Sequence, residues 1–149
     1  MALDTTNNII DLDLSPIKRK RFRINGDDSK ILELNTSDMH ILQRMQEVMP
    51  KISELQNRLP HIADDDTMDS TAKAINELDT EMRGLVDFLF DANVSEVCVD
   101  GGSMFDPIDG MFRFEYLIEA LMKLYDTNLT LEFKKMKARI NKYAKTPKK

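Results

Sequence analysis

From Ile41 onward, apolar residues recur every three or four positions: Ile41, Met45, Val48, Ile52, Leu55, Leu59 and Ile62, then Ile75, Leu78, Met82, Leu85 and Leu89. With 3.6 residues per turn, that spacing returns to one side of an α-helix, so each run buries a stripe and leaves the rest in water. Two such stripes separated by Asp64-Asp65-Asp66-Thr67 predict a helical hairpin over residues 37–91. Thr36-Ser37-Asp38 supplies capping chemistry for the first helix. The carboxylates at 64–66 suit the positive end of the second helix dipole. Pro50 falls inside the first stripe, lacks an amide donor and crowds the preceding turn, which predicts a kink or split near Met49.

Before these stripes the period changes to two. Ile10, Leu12 and Leu14 alternate with Asp11 and Asp13, the pattern of a half-buried strand. Lys18 to Ile24 and Ser29 to Asn35 flank Asn25-Gly26-Asp27-Asp28, whose Asn-Gly pair tolerates the positive φ angles of a type I′ turn and so predicts a β-hairpin. If residues 10–14 pair alongside it, Asp11 and Asp13 face Arg19, Arg21 and Arg23 across a three-stranded sheet. An open strand edge there would instead invite strand addition by a partner. Residues 1–36 are accordingly expected to be the β-rich part of the fold.

After the helical hairpin, residues 92–112 read as a loop region. Val94, Val97 and Val99 favour strand while Asn93 or Ser95 offers a helix cap, and Gly101-Gly102 ends whichever element forms. Beyond Gly110, Phe114, Leu117, Leu121, Leu124 and Tyr125 make one helical face, and Leu129, Phe133, Met136, Ile140 and Tyr143 another. Residues 113–144 are therefore expected to form a C-terminal helix pair, with a frayed tail at 145–149. The fold class predicted is α+β, mainly α: an N-terminal hairpin of two or three strands followed by a bundle of four or five helices. The 149 residues suit one domain, able to bury roughly 70% of the surface of its unfolded chain.

Function is bounded mainly by exclusion. No apolar run approaches the roughly 20 residues of a membrane helix. The N-terminus lacks a basic and apolar leader, so residence in the cytoplasm is the expectation. Cys98 is the only cysteine, which rules out an internal disulfide and a cysteine zinc cluster. His40 and His61 stand 21 positions apart with no neighbouring ligand type. Asp100, Asp106 and Asp109 break the spacing of a calcium-binding loop. Phosphate-binding glycine loops and a nucleophile elbow are absent from the sequence. The reading is a protein without catalytic activity, cofactor or metal that works by binding other proteins.

Charge and methionine content shape that reading. Residues 1–60 hold nine acids and nine bases, 61–126 sixteen and four, and 127–149 one and eight, so the chain divides into neutral, acidic and basic blocks. The net charge of −5 argues against general nucleic-acid binding. Opposed blocks permit head-to-tail association of copies. Of ten methionines, Met45, Met82 and Met136 lie on helical stripes, whereas Met104 and Met111 flank a loop rich in turn formers. Met104, Phe105, Met111 and Phe112 are thus candidate partner-binding residues, as are Arg19, Arg21 and Arg23 on the basic strand.

The stretch Met104-Phe105-Asp106-Pro107-Ile108-Asp109-Gly110-Met111-Phe112-Arg113-Phe114-Glu115-Tyr116-Leu117, followed by Lys134-Lys135-Met136-Lys137-Ala138-Arg139, resembles small proteins of phage and prophage tail-gene clusters in Gram-positive bacteria, the tail assembly chaperones. The resemblance implies binding to the tape measure protein in the host cytoplasm, with release as the tail tube protein polymerises. It also implies a minority longer product made by ribosomal frameshifting near Lys148-Lys149. A structural tail component retained in the virion tail is the rival reading, and a nucleic-acid-binding regulator a further one.

Overall fold

Asn25 and Gly26 both adopt positive φ, 51° and 73°, the conformation that a type I′ turn requires. This turn joins β1 (Lys20–Ile24) to β2 (Asp27–Leu34) in an antiparallel pair with Phe22 opposite Leu32 and Lys20 opposite Leu34. The register shifts between Arg23 and Ile24, which bulges residues 28–30 out of β2. Strand alternation then separates two faces: Phe22, Leu32 and Leu34 turn inward, while Arg21, Arg23 and Glu33 are exposed. The chain is seen in a computed structural model that describes the backbone of residues 8–14, 19–62 and 67–144, with side chains throughout except at 60–62 and 141–144.

The third strand expected at residues 10–14 does not form. Ile10, Leu12 and Leu14 are exposed on irregular backbone, with a single bridge at Ile9. Alternation supplies only a strand's two faces, and among the described residues no ladder forms along 10–14.

Helix α1 (Ile41–Ile62) runs through Pro50 as one element, so of the expected kink or split the split does not occur. Val48 and Ile52 on either side are fully or almost fully buried while Pro50 is exposed, so packing of the stripe offsets the missing hydrogen bond. Helix α2 (Met68–Phe90) starts at Thr67, whose hydroxyl accepts from the Ser70 amide, and stops at Asp91 in the left-handed conformation. The two helices form the expected hairpin. Arg58 pairs with Glu81 across it, and Arg44 donates to the Leu89 carbonyl at 2.8 Å. The acidic stretch 64–66, the His61 side chain and the tail at 145–149 lie outside the described residues.

The stretch left open by the sequence contains α3 (Val94–Cys98) and a small hairpin of β3 (Pro107–Ile108) and β4 (Met111–Phe112). Asp87 anchors α3 by accepting from both the amide and the hydroxyl of Ser95, each at 2.7 Å. Residues 113–144 form one helix, α4 (Arg113–Ala144), and not the expected pair. Between Tyr125 and Leu129 stand Asp126, Thr127 and Asn128, with no glycine or proline to break the backbone, so two apolar faces ride on one continuous helix. Its 32 residues extend about 48 Å. One apolar cluster takes side chains from β2, α1, α2, α3, the loop at 104–105 and the first half of α4.

Candidate functional site

Two of the four loop residues singled out as partner-binding candidates are core, and the other two are half-buried. Met104 is 0% and Phe105 5% exposed, which corrects the expectation that side chains between turn formers stay accessible. The cause is a set of polar anchors supplied by α2. Asp79 accepts from the Met104 amide at 2.7 Å and from Arg83 at 2.9 Å, and Arg83 reaches on to the carbonyls of Val99 and Gly102. Asp106 closes the turn by accepting from the Ser103 amide and pairing with Arg113 at 3.2 Å. Phe105, Phe112 and Phe114 meet ring to ring at 5.5–5.8 Å, so burial of Phe105 and Phe114 carries the half-buried Phe112 with it. Met111, half-buried, stands beside the Asp109-Gly110 turn, where both φ angles are again positive.

The large unpartnered apolar surface lies elsewhere, on the second half of α4. Phe114, Leu121 and Tyr125 bury the first half, and Asn128 makes the last polar tie: it donates to the Thr36 carbonyl at 3.1 Å and accepts from Lys20 at 2.6 Å. Beyond it every described side chain from Thr130 to Ile140 is exposed except Glu132. Leu131, Phe133, Met136 and Ile140 are 46–56% exposed. Leu129, Phe133, Met136 and Ile140 follow at spacings of four, three and four, which places them on one side of the helix. Lys134, Lys135, Lys137 and Arg139 surround that stripe, with Glu132 the one acid between 131 and 140.

Sequence reasoning assigned this stripe to a packed helix, because periodicity reports amphipathicity and not whether a partner surface exists. The signal that marked it was the run of eight bases against one acid after Asp126. In the structure the side chains after Asn128 stand largely exposed.

The basic strand residues separate. Arg21 and Arg23 share the outer face of the hairpin and pair with Glu33 at 3.6 Å and Asp28 at 3.0 Å. Arg19 turns to α2, pairing with the Asp91 carboxylate at 2.9 Å and donating to its carbonyl at 2.8 Å. Arg19 thus fastens the start of β1 to the end of α2 and is spent structurally.

Other reactive groups are absorbed by structure. Burial, with help from the Asp87 charge, pushes the Cys98 thiol up to about 11, so it stays protonated and a weak nucleophile at neutral pH. Asp100 pairs with Lys30 and Asp106 with Arg113. Among the described residues no three His, Cys, Asp or Glu side chains converge as a metal site, and no helix is long and apolar enough to cross a membrane. Comparisons with protein-family models, with curated proteins and with solved structures gave no match for this chain.

Proposed function

We propose that this chain is a non-enzymatic protein-binding factor of phage tail morphogenesis that engages the tape measure protein before the tube is built around it. The observation that carries the reading is the second half of α4, an amphipathic helix whose apolar stripe has no partner within the described fold. Such a stripe suits side-by-side packing with another helix, in which apolar residues interdigitate and flanking charges select the partner. The flanks are basic, so an acidic helical partner complements them and a like-charged one does not. Exposed methionine beside phenylalanine favours a surface that accepts varied contacts, as repeated binding along a long helical protein requires.

A nucleic-acid regulator would use the lysines but leave the apolar stripe unexplained. A structural tail component would use the same stripe permanently. Mass spectrometry of purified virions separates the structural component from the proposed factor: the factor is expected to be strongly depleted, and a fixed stoichiometry would overturn the reading. Co-expression with the long coiled-coil-rich protein of the same gene cluster supplies the positive test, with capture expected for the wild type and lost in Phe133→Asp.

A further inference from the structure

The apolar stripe on the second half of α4 is narrow. Successive residues of a helix turn by about 100°, so Leu129, Phe133, Met136 and Ile140 fall within about 60° of one another around its axis. Polar side chains border that arc closely, Thr130 and Lys137 on one side and Glu132 and Arg139 on the other, while Leu131 stands on the opposite side of the helix. A stripe seated on a domain core is at least about 100° wide; a four-three-four repeat this narrow is the seam of a coiled coil. A helix that lies on anionic lipid keeps its polar face basic, and here Glu132 sits against the arc instead. In heptad terms Phe133 and Ile140 take the a positions, Leu129 and Met136 the d positions, and Lys137 and Arg139 the flanking e and g positions.

The flanks carry charge that the fold does not use. Glu132 pairs with Lys135 at 3.7 Å, whereas among the described residues Lys137 and Arg139 have no ion-pair partner. Both are exposed. Side chains at e and g reach across the seam to the partner's own flanks, so they decide which helix can lie alongside. Unpaired bases on both sides call for acids on both flanks of the partner's seam. A second copy of this chain does not supply them, since each copy holds four bases and one acid between 129 and 140. We infer that the segment bound here is a heptad-repeat helix with carboxylates at its e and g positions, and that Lys137 and Arg139 are the residues that select it. The inference rests on the protein-binding reading above but not on the partner named there.

Synthetic helices of about three heptads, with leucine at a and d and glutamate, glutamine or lysine throughout e and g, test this by titration calorimetry against the full chain. The glutamate peptide is expected to bind at least about tenfold more tightly than the glutamine one, and the lysine peptide most weakly. Lys137→Glu with Arg139→Glu, both at exposed positions, should reverse that order; a variant that keeps the original preference overturns the assignment. Phe133→Ser should weaken binding of the glutamate peptide at least about tenfold, and Leu131→Ser, on the far side of the helix, should leave it unchanged. Equal losses in the two variants would mean adhesion without a seam and overturn the inference. So would tighter binding to phosphatidylglycerol vesicles than to the glutamate peptide, or a wild-type dimer in sedimentation equilibrium that Phe133→Ser dissociates. No phage protein enters the titration, so its failure is separate from the virion measurement, and a fixed stoichiometry in virions would leave the charge preference of the seam standing.

Discussion

The loop at 103–112 and the helix at 129–140 exchange the roles their sequences suggest. The loop is short of regular structure, rich in glycine, proline and aspartate, and would ordinarily be placed on the surface. Yet it delivers Met104 and Phe105 to the core. The helix carries the cleaner apolar stripe of the two, and that stripe stands in water. The difference lies in anchoring. Asp79 holds the Met104 amide and Arg83 the Gly102 carbonyl just before the loop, which brings its side chains under cover; among the described residues nothing beyond Asn128 performs that service for α4.

The sharpest way to break the contrast is to empty the loop's place in the core. Phe105→Ser removes a ring in contact with two others and should destabilise by about 4 kcal/mol, as truncation of a buried aromatic does. Roughly 10 °C of melting temperature would go with it, a size set by the entropy of unfolding for a chain of this length. A thermal scan showing a change under about 1 kcal/mol would place the loop on the surface after all.

Next in size is the anchor itself. Asp79→Ala leaves the Met104 amide without an acceptor and Arg83 without its carboxylate, both in a largely buried setting. Breaking one partner of such a pair costs about 3 kcal/mol. Near-ultraviolet circular dichroism of the phenylalanine region should change together with the melting curve, since the aromatic trio depends on where Asp79 holds residue 104. Loss of stability with an unchanged aromatic signature would separate the anchor from the loop.

How much of this was legible follows from the range of each determinant. Asn25-Gly26 specifies its hairpin within two residues, and the stripes of α1 and α2 specify theirs within a few turns, so both could be read locally. Asp109-Gly110 carries the same turn signal, but its flanking strands of two residues each are too short to show a period of two. Pro50 does not split α1, since its cost is local while the packing of Val48 and Ile52 that offsets it is tertiary. Burial of Met104 depends on a carboxylate 25 positions earlier, and no window around residue 104 contains it. The helix pair expected at 113–144 arose from splitting one helix where its buried face ends, at Asn128.

A smaller effect comes from acid, and it acts on the body to which the first half of α4 is fastened. Asp38 sits at the start of α1, half-buried. Burial alone would raise its carboxyl, but the amide of His40 and the guanidinium of Arg44 outweigh that and hold it below its ordinary 3.8. A group whose folded value is lowered contributes stability above its unfolded value and loses it as pH falls through the folded one. Melting temperature should therefore be flat from neutral pH to about 5 and fall below 3.8. Asp38→Asn should start lower at neutral pH and flatten part of that decline. An identical acid profile in the variant would assign the decline to other carboxylates.

The least costly change to the fold should be the most telling for the helix. Phe133→Ser with Met136→Ser removes two exposed apolar side chains, so stability should move by no more than about 0.5 kcal/mol. Both replacements keep the helical backbone, and serine costs only a few tenths of a kcal/mol in propensity at each position. What should change is adhesion: binding of a hydrophobic dye to the folded chain should fall, and capture of a helical partner should fall with it. Hydrogen exchange offers the matching measurement on the wild type. Amides of α4 before Asn128 are covered by α2 and the hairpin and should open only with the whole fold, whereas those after it should exchange by local fraying. A partner lying along Leu129, Phe133, Met136 and Ile140 should protect that second set and leave the first unchanged. Protection of both sets equally in the free chain would mean that the stripe is already covered, and the division of α4 at Asn128 would fail.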